Sequence, residues 1–142
     1  KRELDALVKV HRKAIEAGVP MMAGSEAGFA VTPYGQWHAR EIELMVELLG
    51  MKPLDAITAG TFNNAKAFGW EQDVGSLQPG RWADLLVLDG DPLADIRLLS
   101  DRKRITAVYK GGELVPRAEV FPTRRRMGHE RSLAISTIPL NR

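Results

Sequence analysis

The chain has no cysteine, so disulfides and thiolate metal sites are excluded, and redox chemistry says nothing about its compartment. It has no apolar run near the roughly 20 residues that a membrane helix needs. Histidine is scarce: His11, His38 and His129 are the only three, and no two form a His-x-His pair. Three or four well-placed ligands define a zinc site, so these histidines alone do not make one. Aromatic residues are only 6% and are not interleaved with basic clusters, which argues against nucleic-acid binding. The opening residues, KRELDALVKVHRK, are charged and helical in pattern, unlike a signal peptide. With no signal or spanning segment in view, the expected location is cytoplasmic.

At 142 residues there is material for one domain with a modest core. The apolar and charged fractions, 44% and 27%, are those of ordinary soluble proteins. A net charge of +2 decides nothing, but its distribution is uneven. From Arg117 onward there are six Arg against two acids, with a run at Arg124 to Arg126. This stretch reads as a solvated or partner-facing tail. The chain opens on Lys1 inside a helical pattern, and it is expected to be a portion of a longer product.

Leu4, Leu7, Val8, His11 and Ile15 follow helical spacing, and Gly18 is placed to stop that helix. The run VPMMA (19–23), bounded by glycine on both sides, suits a strand buried on both faces. Ile42, Leu44, Met45, Leu48 and Leu49 mark a second helix ended by Gly50. Pro53 suits the first turn of a third helix, which runs to Gly69. Helix, buried strand, helix is the rhythm of a parallel α/β structure. That rhythm changes after Gly69. A Pro79-Gly80 turn leads into ADLLVLD, a strand expected to be covered on both faces. A helical turn is expected at Leu93–Leu99, and ITAVYKGGELV reads as a hairpin around Gly111-Gly112.

Between the first strand and the second helix lies AGSEAGFAVTPYGQWHARE (23–41). It places one carboxylate, Glu26, at a strand end and then Tyr34, Trp37 and His38. Such a loop is either the rim of a site or an ordinary connection. His11 shares the apolar stripe of its helix and reads as a core-edge residue. Asn63 and Asn64 are expected to satisfy backbone near the later strands. Asp84, Asp89, Asp91 and Asp95 resemble a carboxylate cluster, but they sit in turns, where Asp serves local hydrogen bonds.

Four pieces in one order resemble the C-terminal portion of metal-dependent amidohydrolases, of the imidazolonepropionase-like and Xaa-Pro dipeptidase-like branch. They are AGVPMMAGSEAG, then TPYGQWHAREIELMVELLGMKPLDAITAGTFNNAKAFG, then VGSLQPGRWADLLVLDGDPLADI, then ITAVYKGGELV. SLQPGRWADLLVLDGDPL is the most diagnostic of them. The resemblance implies an α/β fold: the last strand and following helices of a (β/α)8 barrel, then the C-terminal half of a small β-sandwich. The implied divisions are 1–70 for the barrel end, 71–116 for the sandwich strands and 117–142 for the Arg-rich tail.

The resemblance also implies an activity. Family members hold zinc or another divalent metal at the barrel mouth and hydrolyse C–N bonds in amides, cyclic amides or dipeptide-like small molecules. An Asp after their last strand takes the proton of the attacking water. Glu26 stands at that position, one methylene longer, and is the implied catalytic and metal-side carboxylate. Tyr34, Trp37 and His38 are candidates for substrate binding. The family's other ligands have no counterpart here, so this chain alone is expected to bind no metal and to be inactive. A homo-oligomer, or a missing N-terminal barrel portion, would complete it. The alternative is a truncated, non-catalytic homologue that serves as a binding or oligomerisation module.

Overall fold

The computed structural model describes residues 2–28, 32 and 37–116. The Tyr34 expectation and those for the tail at 117–142 fall outside the described residues. Helix α1 (Arg2–Glu16) is followed by an extended segment, then α2 (Trp37–Glu47), α3 (Pro53–Gly60) and α4 (Phe62–Ala67). Strand β1 (Leu85–Leu88), a short 3-10 helix (Ile96–Ser100), β2 (Ile105–Lys110) and β3 (Glu113–Leu114) complete the order.

The helices stop where the sequence says they should. Gly18 is left-handed at φ 76, the N–H of Gly18 reaches the Ile15 carbonyl, and that of Val19 reaches Ala14. This pairing caps the last carbonyls of α1, and a side chain at φ > 0 would be strained there. Helices α2 and α4 end in the same way at Gly50 and Gly69. The expected single third helix is instead broken at Thr61, whose φ −126 and ψ −89 are not helical. Its hydroxyl bonds back to the Ile57 carbonyl at 2.7 Å, a local competitor that bends helices, directly after the weak helix former Gly60.

The core is small. Met45, Met51, Ala56 and Ala59 are buried together, the two alanines completely, with Ile15, Met21, Ala23, Ile42, Val46 and Leu49 packed around them. Gly60 allows this approach, because a Cβ there would lie 2.7 Å from Ile42 Cδ1 and 3.7 Å from Ala23 Cβ. The outer helix α1 contributes no buried residue, and Leu7 is 56% exposed. Arg12 ties it to α2 by donating to the Leu48 carbonyl at 2.7 and 3.1 Å, which caps the end of that helix.

The three strands form one antiparallel sheet in the order β1-β2-β3, with Leu86 opposite Val108 and Tyr109 opposite Leu114. The register shifts between Val87 and Leu88. Gly111 and Gly112, at φ 59 and 84, make the expected tight turn. Asp84 clamps it by accepting from the Gly111 N–H at 2.6 Å, while Gly112 donates to the Ala83 carbonyl. β1 is not covered on both faces as expected: Leu86 and Val87 are both exposed.

A polar contact joins the sheet region to α2. Glu43, 7% exposed, pairs with Arg40 and lies 3.7 Å from Arg97 of the 3-10 helix. Glu47 accepts from Arg97 at 2.8 and 3.1 Å. The Glu47 hydrogen bond and charge hold the Arg97 guanidinium above its ordinary pKa.

Candidate functional site

The segment VPMMA and the residues after it do not form a regular strand. Side chains nevertheless alternate: Met21, Ala23, Ser25 and Ala27 are half-buried, while Pro20, Met22, Gly24 and Glu26 are exposed. That is the period of an extended chain with one face on the helices. The expectation of burial on both faces is corrected, since Met22 is 47% exposed. The missing ingredient is a neighbouring strand. Helix groups bind its backbone in place of one: the Ala23 N–H donates to the Ala59 carbonyl at 3.2 Å. Asn63 Nδ2 donates to the Met21 carbonyl, and Asn64 Nδ2 to that of Ala23, each at 2.8 Å. The two asparagines therefore serve this segment and not the later strands.

Glu26 ends the segment in an unusual state. Its φ is 45, and among the described residues it is the only non-glycine with positive φ. A left-handed residue with a Cβ costs about 1–2 kcal/mol, and such residues cluster at functional sites. The turn is fastened locally: Thr32 Oγ1 donates to the Glu26 carbonyl at 2.9 Å, and the Gly28 N–H donates to the Thr32 carbonyl at 2.8 Å. The Glu26 side chain is exposed.

One step before it, Ser25 Oγ and His38 Nδ1 share a hydrogen bond of 2.8 Å. The hydroxyl donates when Nδ1 is the unprotonated nitrogen. This bond ties the first turn of α2 to the residue preceding Glu26, so Glu26 and His38 belong to one neighbourhood. Trp37, half-buried, opens α2 beside His38. Sequence reasoning missed Ser25 and Thr32. Their signal was slight: small hydroxyl residues around a glycine-rich turn, where side-chain-to-backbone bonds are common.

The remaining candidates fall elsewhere. His11 Nδ1 bonds to the Leu7 carbonyl at 2.8 Å within its own helix and is half-buried. Asp91 and Asp95 accept from backbone N–H groups two residues ahead, at 2.8 and 3.1 Å. Asp89 faces Arg104 at 3.5 Å, and Asp84 serves the hairpin. Asp91 and Asp95 thus do local work, while Asp84 and Asp89 reach partners in the following strand and turn. Among the described residues, no group of three or more His, Asp or Glu side chains could hold a metal ion. The residues present do not fit a metal centre by themselves, because Glu26 is one exposed carboxylate and His38 Nδ1 is engaged by Ser25. No chemical step is assigned here to a metal.

A helical layer packs against an extended segment that ends in a strained carboxylate, and an antiparallel sheet follows it in the chain. The pattern of the Amidohydrolase family matches residues 5–115, and the chain belongs to that family. It is 37% identical over 111 residues to an ochratoxinase of Aspergillus niger, covering 78% of this chain and 22% of the relative. It is 32% identical over 108 residues to an imidazolonepropionase of Geobacillus kaustophilus, covering 73% and 24%. The solved structure of the A. niger ochratoxinase superposes with a TM-score of 0.68 at 37% identity over 78% of this chain and 24% of that one. A Xaa-Pro dipeptidase with methionine bound in its active site superposes at 0.67, with 35% identity over 76% and 25%. The chain thus spans about a quarter of the length of the relatives it matches. No helix among the described residues is long and apolar enough to cross a membrane.

Proposed function

We propose that this chain forms the part of a C–N hydrolase that carries its proton-accepting carboxylate, Glu26. On this reading residues 19–26 are the last strand of a (β/α)8 barrel and α2 to α4 are the helices that follow it. Residues 71–116 are then half of a small β-sandwich, and 117–142 a tail. Substrates are small amides, cyclic amides or dipeptide-like molecules, and zinc or a similar divalent ion would need ligands from outside this chain, with Glu26 as the one carboxylate supplied here. Glu26 takes a proton from the attacking water as the carbonyl carbon becomes tetrahedral, and gives it to the departing nitrogen. Tyr34, Trp37 and His38 are the candidates for binding the substrate.

The observation that carries this reading is the positive φ of Glu26. Glycine would fit that backbone without strain, so an acid there points to use of the carboxylate. The first test is the DNA upstream of the Lys1 codon. In-frame sequence for about 250 residues of barrel, with a His-x-His pair, supports the proposal. A stop codon close upstream, with no such sequence, overturns it. In the complete enzyme, Glu26→Asp raises kcat by restoring the family's usual side-chain length.

A second reading, a non-catalytic association module, is favoured by one observation: the apolar stripe of α1 and Met22 lie open. Leu4, Leu7, His11, Met22, Leu44 and Leu48 line a groove of about 230 Å³. Both readings expect the isolated chain to self-associate. Light scattering after size exclusion should show more than the 15.7 kDa monomer. Catalysis by the complete protein separates the two readings.

A further inference from the structure

The backbone of the segment before Glu26 is held along one edge only. In an extended chain the N–H and C=O of one residue point to the same edge, and successive residues alternate. The groups of Met21 and Ala23 are bound by Asn63, Asn64 and Ala59. The backbones of Pro20, Met22 and Gly24 make no hydrogen bond among the described residues. The helix pair thus occupies the edge where a neighbouring strand would lie, with two consecutive carboxamides in the part of main-chain N–H donors.

The Asn64 carboxamide is committed to this task. Nδ2 donates to the Ala23 carbonyl, while Oδ1 is buried and meets no partner among the described residues. Leaving a buried acceptor unmet is costly, so the side chain is oriented by its donor side. Ala23 lies three residues before Glu26. From there the chain passes Ser25, itself bound to His38, and enters the left-handed turn. With Ala23 and Ser25 both fixed, little conformational freedom remains between them.

We propose that Asn64, assisted by Asn63, is the positioning residue of Glu26: by holding the Ala23 and Met21 carbonyls it dictates the path on which Glu26 becomes left-handed. The importance of that position for turnover rests on the function proposed above, whereas the conformational claim does not. The sequence reading expects the two asparagines to satisfy backbone, but near the later strands, because adjacent asparagines in a helix do not reveal which distant carbonyls they reach.

The experiment is solution NMR on the full 142-residue chain, following the carbon shifts and amide-to-α-proton coupling of Glu26 and the exchange rate of the Ala23 amide. Asn64→Asp keeps the shape and removes the donor, and Asn64→Ala removes both. Both variants are expected to lose the left-handed signature of Glu26 and to speed Ala23 exchange about tenfold, the effect of one lost hydrogen bond. Slow exchange at Ala56 and Ala59 verifies that the helices remain folded. Ala56→Gly is the control: it weakens α3 and the shared core but keeps every hydrogen bond to the segment, and it should leave the Glu26 signature intact. A purely structural role for Asn64 predicts that all three variants behave alike. A Glu26 signature that survives in both Asn64 variants, or is lost equally in Ala56→Gly, overturns the proposal. Should Asn64→Ala unfold the chain, Asn63→Ala gives the same reading from the neighbouring bond. Turnover is not measured here, so a failed function proposal and a failed positioning proposal give different results.

Discussion

Residues 19–26 and residues 85–114 both run extended, yet they satisfy their backbones in opposite ways. In the second region β2 and β3 are joined by two glycines, and β1 is brought back by a connection that includes the 3-10 helix. Main-chain groups pair with main-chain groups, and the nearest partner is a short turn away. Among the described residues the first region has no strand beside it, and its carbonyls are taken by asparagines some 40 positions further on. An apolar run flanked by glycine is therefore a capacity for pairing. Whether it becomes a strand depends on what lies within reach.

The comparison breaks if the two regions are not energetically separate. The largest effect is expected from Asn63→Asp, which removes the donor to Met21 and sets a carboxylate against that carbonyl. Chemical denaturation should show a loss of about 2–3 kcal/mol, with hydrogen exchange rising at Met21 to Ala23 and unchanged in β1 and β2. Next comes Gly112→Val, which forces a branched side chain to φ 84. About 1–2 kcal/mol should be lost, with exchange now rising in β2 and β3 and the Glu26 turn undisturbed.

A smaller effect probes the link between the halves. Glu43 is the one buried charged residue among those described, but its Arg97 partner is half exposed. Glu43→Gln should therefore cost only about 1 kcal/mol, shrinking as salt is raised. Arg97 has its pKa raised, so its contribution is fully present below the ordinary guanidinium range and is lost only as pH rises above that range. Stability between pH 6 and pH 9 (roughly the working range) should not change on its account. The smallest change is a gain. Glu26→Gly should stabilise the chain by about 0.5–1 kcal/mol in a denaturation series, because relief of the left-handed strain slightly exceeds the added chain entropy.

What could be read from the sequence follows the same division. Gly18, Gly50 and Gly69 end helices through contacts within six residues, and Gly111-Gly112 turn a hairpin on themselves. Both signals are complete within their own neighbourhoods. Asp91 and Asp95 bind nearby backbone for the same reason, whereas Asp84 reaches across to Gly111 and Asp89 to Arg104. The break at Thr61 was hidden because its cause is a hydroxyl choosing the Ile57 carbonyl, a choice open to any helical threonine. The work of Asn63 and Asn64, the Ser25–His38 bond and the open face of the 19–26 segment depend on residues far apart in the chain. Glu26 is a candidate by its place in GSEAG; its backbone strain is not legible there, since nothing in that motif demands positive φ from an acid.

The central claim is that the chain tolerates this strain to present a carboxylate to a reacting C–N bond. Its direct test is kcat of the complete enzyme carrying Glu26→Gln, which preserves size and polarity and removes the base. The account predicts a fall in kcat of about 100-fold or more with KM changed less than about twofold. A Glu26→Gln enzyme that turns over at the parent rate would contradict it.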